Sequence, residues 1–203
     1  MGIESPLEPH YSLALGTAGV SPLEMSRAFG AFANSGVLWS SLMLKRVETY
    51  DNEILDAFQT SSKKVVNAQS IYILVDMLRG VIEGGTGQSV KSLGFSRPCA
   101  GKTGTSSDFK DSWFVGFTPN LVTAVWVGFD DARSMYDKYG VGITGARGAL
   151  PIWTAFMKAA LENQPVRYFT RPAGIEFKIV DPKTGTGPLP GSEKLEVAIK
   201  AGM

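Results

Sequence analysis

The stretch "CAGKTGTSSDFKDSWFVGFTPNLVTAVWVGFDD", residues 99–131, carries the pattern that decides the fold. Apolar and polar side chains alternate along much of it, as they do in strands that belong to a sheet. We therefore predict three consecutive strands, Cys99–Ser106, Ser112–Thr118 and Leu121–Phe129. The connector "TPN" is short enough to make the last two strands antiparallel neighbours.

Segments with helical periodicity lie on both sides of this three-strand meander. The segment "SPLEMSRAFGAFANSG", residues 21–36, opens with Ser21 and Glu24 at the spacing of a capping box. Apolar residues at helical spacing predict a second helix over Ile71–Ile82 and a third over Ala149–Leu161. The order helix, hairpin, helix, meander, helix predicts an α+β fold, an antiparallel sheet packed with helices.

The remaining segments give weaker patterns. Residues 37–58 contain two extended runs around Asp51-Asn52, which predicts a β-hairpin. The polar segment "TSSKKVVN", residues 60–67, is interpreted as a connector. The tail contains one predicted strand, "IEFKIV" at residues 175–180, followed by a loop rich in proline and glycine.

The composition excludes several classes of function. The chain has 203 residues, 44% of them hydrophobic, which suits one core or one core with an appendage. A net charge of +1 provides no basic surface for nucleic acid. The single cysteine cannot form an internal disulfide, and no apolar run approaches the ~18–20 residues that span a bilayer. We expect no cofactor and no metal.

The tetrapeptide Lys-Thr-Gly-Thr occurs twice, at Lys102–Thr105 and at Lys183–Thr186. Proline and glycine surround the second copy, which predicts a turn on the surface. The first copy lies inside the first predicted strand, with no proline between Cys99 and Phe117. The two copies therefore have different surroundings, and only the first is a candidate site.

A phosphate-binding loop requires Gly-x-x-x-x-Gly-Lys-Thr between a strand and a helix. Gly101 and Lys102 supply the end of this motif, but residue 96, where the first glycine would stand, is serine. The segment after Lys102 is predicted to be a strand, so no helix N-terminus is available to bind an anion. The sequence therefore argues against nucleotide binding.

On a strand, Lys102 and Gly104 lie on one face, and Thr103 and Thr105 lie on the other. If this strand lies at a sheet edge, an extended peptide can pair with it, and Lys102 provides a positive charge for a carboxylate. The same four residues also suit a purely structural strand with an exposed lysine. Spacing alone does not decide between these two interpretations.

Three segments together resemble the transpeptidase domain of class A penicillin-binding proteins, which are bifunctional peptidoglycan synthases. They are "YSLALGTAGVSPLEMSRAFGAFANSG", "GKTGTSSDFKDSWFVGFTPNLVTAVWVGFDD" and "ALPIWTAFMKAAL", in that order. The resemblance implies a partial penicillin-binding or β-lactamase-like transpeptidase fold. It divides the chain into residues 1–171, the C-terminal portion of that domain, and residues 172–203, a short C-terminal extension.

The resemblance implies a mechanism and a substrate. Members of the family carry Ser-x-x-Lys, Ser-x-Asn and Lys-Thr-Gly motifs, and Lys102, Thr103, Gly104 and Thr105 match the third. The serine attacks the D-Ala-D-Ala bond of a peptidoglycan stem peptide, and an amine from a neighbouring stem takes the acyl group. The third motif binds the terminal carboxylate, and a backbone N–H near Thr105 forms half of the oxyanion hole. β-Lactams mimic the same dipeptide.

The first two motifs are missing. No Ser-x-Asn is present, and the two Ser-x-x-Lys strings, Ser61–Lys64 and Ser107–Lys110, lack the required helix start. We therefore expect no catalytic residue in this chain. The nucleophile would lie in the N-terminal half of the same domain, and the chain alone would be inactive. The alternative is a truncated chain that acts as a binding module without chemistry.

The parent protein is expected to act at the extracytoplasmic face of the bacterial cytoplasmic membrane. Its implied partners are stem peptides, β-lactams and the N-terminal half of the domain. Helix faces made to pack against that half would be exposed in the chain alone, so self-association is also expected.

Several other residues could suggest a site. One histidine, His10, and one cysteine, Cys99, are too few for a zinc site, and we interpret them as a surface residue and a buried strand residue. Asp111, Asp130 and Asp131 border strands, where capping of loops is a better explanation than a metal pair. The meander's aromatic residues are predicted to pack in the core and on the sheet faces: Trp113, Phe114, Trp126 and Phe129.

Overall fold

The protein is described by a computed structural model over residues 1–202. The helices in this part are α1 Pro22–Ala33, α2 Ala68–Glu83, α3 Ser89–Ser92 and α4 Ala149–Leu161. The strands are β1 Val37–Trp39, β2 Arg46–Glu48, β3 Ile54–Ala57, β4 Ser62–Lys64, β5 Ala100–Thr105, β6 Asp111–Phe117, β7 Val122–Gly128, β8 Ile175–Val180 and β9 Leu195–Lys200. Helical turns of the 3-10 type cover Tyr11–Leu15 and Ser107–Phe109.

The central sheet consists of β5, β6 and β7 in sequence order, with antiparallel pairing throughout. Thr103 lies opposite Phe114, and Phe114 lies opposite Val125. The predicted meander is therefore confirmed, with strand ends that differ from the expected ones by one residue. The predicted α+β class is confirmed as well.

Different helices cover the two faces of this sheet. Helix α4 packs on one face, where Trp153 and Phe114 are fully buried with 5.0 Å between their ring centroids. The indole N–H of Trp153 donates to the carbonyl oxygen of Gly116 over 3.2 Å. Helices α1 and α2 pack on the other face, against Val115 and Phe117. Truncating a buried tryptophan typically costs about 3–5 kcal/mol, so Trp153 is a main anchor of α4.

Helix α1 begins at the predicted capping box. The Ser21 side chain accepts from the Glu24 N–H, and the Glu24 carboxylate accepts from the Ser21 N–H over 2.8 Å. The same carboxylate accepts from the N–H groups of Glu4 and Ser5 over 2.8 and 2.6 Å. These backbone donors, the Ser21 N–H foremost, hold the pKa of Glu24 well below its usual range. Glu24 therefore ties the N-terminal segment to α1.

The region between α1 and α2 differs from the prediction in its pairing. The hairpin around Asp51-Asn52 exists, but it contains only β2 and β3. Strand β1 pairs instead with β4, which lies in the segment interpreted as a polar connector. That interpretation was wrong because β4 is exposed along its whole length and has no apolar alternation.

The tail contains a strand that the sequence did not predict. Strand β9 pairs along its full length with β8, and the resulting hairpin packs on α2. The Asp76 carboxylate of α2 accepts from the Ala198 N–H over 3.1 Å, and the Tyr72 and Phe177 rings meet edge to face. None of the helices within residues 1–202 is long and apolar enough to cross a membrane.

The Glu24 network makes a prediction about stability and pH. Substituting Glu24→Gln removes the negative charge that these donors stabilise, so the melting temperature at pH 7 should fall. Because the pKa of Glu24 is lowered on folding, its contribution is present above the unfolded-state pKa of about 4.5 and declines as the pH falls below that value. Thermal melts should therefore show a smaller difference between the variant and the wild type at pH 3.

The matched control is Glu53→Gln in the exposed β2–β3 hairpin, which should change the melting temperature little at either pH. A Glu24→Gln difference that is equal or larger at pH 3 would contradict this account.

Candidate functional site on the edge strand β5

Strand β5, which carries the first Lys-Thr-Gly-Thr, lies at one edge of the central sheet. The Ser106 N–H donates to the Asp111 carbonyl over 3.1 Å, so the backbone N–H of Ser106 points toward β6. The Asp111 N–H donates in turn to the Ser106 hydroxyl over 2.7 Å. Because the direction of the backbone groups alternates from one residue to the next along an antiparallel strand, Thr103 and Thr105 turn their N–H and C=O groups away from β6. The outer edge of β5 is therefore the side on which an extended peptide can pair.

Lys102 is exposed on this edge strand. Its ammonium group donates to the carbonyl oxygen of Thr103 over 2.9 Å. That oxygen is one of the outward-facing groups, so the positive charge lies directly at the outer edge of β5. This exposed ammonium group can form an ion pair with a carboxylate at the edge.

The Thr105 hydroxyl is held by the segment that precedes α4. The Gly145 N–H donates to Thr105 Oγ1 over 3.0 Å. Gly145 also lies against the backbone of Gly104 and Trp113, so closely that a Cβ on Gly145 would collide with both carbonyl oxygens. The absence of a side chain at Gly145 is what allows this contact, and it fixes the position of the amide that Thr105 accepts from.

Residues 130–148 form the loop that delivers Gly145. The Asp137 carboxylate accepts from the N–H groups of Val141 and Tyr139, each over 2.9 Å, and pairs with Arg147 over 2.7 Å. The two backbone donors, and after them Arg147, lower the pKa of Asp137. Nearby, the buried Ser112 hydroxyl donates to the carbonyl of Thr144 over 2.9 Å. The loop is therefore tied both to itself and to the sheet.

The turn between β5 and β6 has an unusual backbone. Asp108 and Phe109 are consecutive non-glycine residues with φ angles of 60° and 56°. The Phe109 ring packs edge to face on Tyr136, and its backbone carbonyl accepts from the Met135 N–H over 3.0 Å. Left-handed backbone at such residues is uncommon and needs support from neighbours. The loop 130–148 provides that support.

Neither of the two Ser-x-x-Lys strings lies on a regular helix that begins at its serine. Ser107 begins the short 3-10 turn after β5, and Lys110 follows that turn directly. Ser61 precedes β4, and Lys64 ends it. In neither place does a regular helix put the lysine one turn after the serine.

Thr86 was not predicted to lie near the candidate site. This residue lies between α2 and α3 in the segment Gly84–Gly87, and its Oγ1 is 2.7 Å from Thr103 Oγ1. In the sequence it stands in the string "EGGTG", residues 83–87, directly after the predicted second helix. The sequence did contain one signal: Thr86 is the only residue of the segment 84–87 that is not glycine.

The second Lys-Thr-Gly-Thr copy is a surface turn, as predicted. The Asp181 N–H donates to the Thr186 carbonyl over 2.8 Å, and Gly185 has a φ of 71°. Lys183 and its neighbours are exposed. This copy lies after β8, outside the central sheet.

The other candidate residues have structural surroundings. Cys99 is buried beside β5, and burial raises the pKa of its thiol to about 12, so it is not a thiolate at neutral pH. His10 is exposed. The Asp131 carboxylate accepts from the Arg133 N–H over 3.4 Å, as expected for loop capping. Within residues 1–202 no group of three or more His, Cys, Asp or Glu side chains could hold a metal.

The aromatic residues of the meander divide into two kinds. Phe114 is fully buried, and Trp113 packs against the core on the α2 side. Trp126 and Phe129 are more than a third exposed. They therefore lie on the surface of the sheet and not in the core. The Trp126 indole donates to the Asp111 carboxylate over 2.9 Å, and Arg133 lies 3.8 Å from the Phe129 ring centroid.

The fold is that of transpeptidase domains. Penicillin-binding protein 1A from Haemophilus influenzae superposes with a TM-score of 0.82 at 27% identity, over 94% of this chain and 33% of that one. PonA1 from Mycobacterium tuberculosis, in complex with penicillin V, superposes with a TM-score of 0.73 at 23% identity, over 85% of this chain and 50% of that one.

The sequence comparison agrees with the fold. The model of the penicillin-binding protein transpeptidase domain matches residues 7–147, and the chain belongs to this family. Penicillin-binding protein 1A of Aquifex aeolicus is 39% identical over 177 residues, 87% of this chain and 24% of that protein. That of Pseudomonas aeruginosa is 32% identical and aligns over 92% of this chain and 28% of the relative. The chain thus spans about a quarter of the length of these relatives.

The contact at Gly145 makes a prediction about stability. Gly145 is not among the residues with positive φ, so the cost of Gly145→Ala is steric: the new Cβ meets backbone atoms that cannot move aside. We expect the variant to lose about 1–3 kcal/mol of unfolding free energy. Denaturant melts measure this loss, and amide exchange at residue 145 should become faster.

The control is Gly30→Ala in α1, where a Cβ would have no neighbour within 4 Å. That change should stabilise the chain by about 0.5–1 kcal/mol, since alanine is the better helix former. A Gly145→Ala variant as stable as the wild type would contradict the close approach.

Proposed function

We propose that this chain is the substrate-docking part of a peptidoglycan D,D-transpeptidase, and that Lys102, Thr103, Gly104 and Thr105 bind the substrate. The observation that carries the proposal is the Lys-Thr-Gly-Thr sequence on an open sheet edge, in a chain that belongs to the transpeptidase family. The substrate is an extended stem peptide that ends in D-Ala-D-Ala, and it pairs with the outer edge of β5.

The groups on β5 suit each part of such a substrate. The Lys102 ammonium attracts the terminal carboxylate, and the two threonine hydroxyls supply hydrogen-bond donors beside it. The outward N–H of Thr105 donates to the carbonyl oxygen that is attacked, where negative charge develops. Losing one such donor typically costs about 2.7–4 kcal/mol of transition-state stabilisation.

The covalent chemistry requires a serine that the two Ser-x-x-Lys strings of this chain do not provide. We infer that the serine and its lysine belong to the N-terminal half of the same domain. The serine oxygen attacks the D-Ala-D-Ala carbonyl, D-alanine leaves, and an amine of a neighbouring stem displaces the serine from the acyl-enzyme.

The complete protein is proposed to act at the extracytoplasmic face of the cytoplasmic membrane. Residues 1–171 are proposed to belong to the catalytic domain and residues 172–203 to a C-terminal extension.

β-Lactams are proposed ligands of the same edge, because their carboxylate and strained amide resemble the terminal dipeptide. Structural neighbours of the chain include PonA1 in complex with penicillin V and an imipenem acyl-enzyme of penicillin-binding protein A, both from Mycobacterium tuberculosis. These complexes support the proposal by analogy of fold.

A second candidate function is a binding module without chemistry. It is favoured by the positions of Ser61 and Ser107, neither of which begins a helix that would bring a lysine beside the serine. Both candidates use the same edge strand, and a test for a covalent product separates them. Self-association through exposed helix faces, such as Ile152 and Phe156 on α4, also stays a prediction.

The two Lys-Thr-Gly-Thr copies allow a matched test in the full-length protein. We expect Lys102→Ala to lower the second-order rate constant of penicillin acylation by about 10- to 100-fold, since a charged hydrogen bond to the carboxylate is lost. Lys183→Ala removes the same side chain from the remote turn and should leave the rate unchanged. Labelling with a fluorescent penicillin, quenched at a series of times, measures the acylation rate constant of each variant. Equal losses in the two variants would show that Lys102 does not bind the carboxylate.

The chain alone should form no covalent product with penicillin. Neither Ser61 nor Ser107 has an adjacent base in the required geometry, and binding without a nucleophile yields no acyl-enzyme. The chain is incubated with fluorescent penicillin, denatured and examined by gel electrophoresis. A stoichiometric label on any serine would contradict the proposed division of the site. Labelling that returns when the N-terminal half is added would favour the enzyme over the binding module.

A further inference from the structure

Thr86 lies beside the proposed carboxylate site without belonging to the Lys-Thr-Gly-Thr motif. Its hydroxyl oxygen is 2.7 Å from that of Thr103, the usual distance for a hydrogen bond between two hydroxyl groups. The chain passes from one face of the sheet to the other toward the end of α2, since Val75 belongs to one core cluster, and Ile82 and Val90 belong to the other. Thr86 therefore lies at the edge strand, near the place where substrate is proposed to bind.

The backbone on both sides of Thr86 is fixed. The N–H groups of Gly84 and Gly85 donate to the carbonyl of Gly80 over 3.1 and 3.2 Å, and the Gly87 N–H donates to Val81 over 2.9 Å.

Side chains are excluded around the same turn. A Cβ on Gly85 would lie 2.9 Å from the Val81 Cα, and a Cβ on Gly87 would lie 2.9 Å from the Ile82 Cδ1. The turn is thus closely packed on α2, and the Thr86 hydroxyl is presented to Thr103 from a defined position.

The direction of the bond between the two hydroxyls determines what Thr103 can offer. A threonine hydroxyl has one proton and two lone pairs. If Thr103 gives its proton to Thr86, it turns a lone pair toward an approaching carboxylate, which is repulsive. If Thr86 donates instead, the proton of Thr103 is available to the carboxylate. An anion at the edge favours the second arrangement, in which each hydrogen bond polarises the next.

The Thr105 hydroxyl also forms a hydrogen bond with a neighbouring turn, and the direction of this bond is fixed. The amide of Gly145 can only donate, so the hydroxyl proton of Thr105 is not needed for this bond. Both motif hydroxyls thus form a hydrogen bond with a neighbouring turn: Thr103 with the Thr86 hydroxyl before α3, and Thr105 with the Gly145 N–H before α4.

We propose that Thr86 is a positioning residue for the substrate carboxylate: its O–H donates to Thr103 Oγ1 and directs the Thr103 O–H toward the anion. This inference rests on the proposed function of β5. It assigns to the α2–α3 turn a part in recognising the charged end of the peptide or β-lactam.

The test measures acylation of the full-length protein by a penicillin with a free carboxylate and by its methyl ester. Thr86→Val removes the hydroxyl with little change in size. We expect the rate constant for the free acid to fall about 3- to 10-fold, the effect of one hydrogen bond. The rate constant for the uncharged ester should not change. Thr86→Ser, which keeps the hydroxyl, should restore the rate for the free acid.

The second Lys-Thr-Gly-Thr copy provides the matched control. Thr184→Val removes a hydroxyl that lies 2.9 Å from that of Thr186, far along the chain from β5, and should change neither rate constant. Melting curves check that each variant folds, and Thr86→Ala replaces Thr86→Val if the latter does not.

Two results would overturn the inference: equal losses for the acid and the ester, which indicate a structural role, or no loss for either. A wild-type protein that neither compound acylates would overturn the proposed function itself, and the inference with it.

Discussion

The packing of Trp153 on Gly116 is the contact on which the rest of the structure depends. Because Gly116 has no side chain, the indole ring lies directly on the sheet, and its N–H reaches the Gly116 carbonyl. This contact sets the position of α4 relative to β6. The segment before α4 then brings Gly145 to Thr105 on the edge strand. A contact in the core thus determines the position of a group at the proposed site.

The sequence predicted the parts of the fold in which local pattern and burial agree. The meander alternates because each strand has two distinct faces, and α1 carries its own capping residues. Strands β4 and β9 were missed for physical reasons. β4 is exposed and polar, and its pairing with β1 depends on how the chain turns at Gly36 and Val66. β9 follows a long turn rich in proline and glycine, and its packing on α2 is a long-range contact.

The candidate site was predictable only along the strand itself. Lys102 to Thr105 were found because four adjacent residues form a recognisable motif. Thr86 and Gly145 were not found, since each comes from a different turn and meets β5 only in three dimensions. Both form a hydrogen bond with a hydroxyl group of β5, and no local pattern marks a residue that does so. Sequence alone therefore identified the residues that are proposed to touch a substrate, but not the residues of other turns that contact them.

The open edge of β5 also has a consequence for solubility. An unpaired strand edge is a template on which a second copy of a chain can add a strand and begin to aggregate. Here the edge is only six residues long, Lys102 places a charge on it and occupies the Thr103 carbonyl, and the Thr86 turn lies against it. A long strand from another molecule would have to displace both. The proposed ligand is a short peptide whose terminal carboxylate binds Lys102, so the same charge that would attract a ligand also discourages fibre growth.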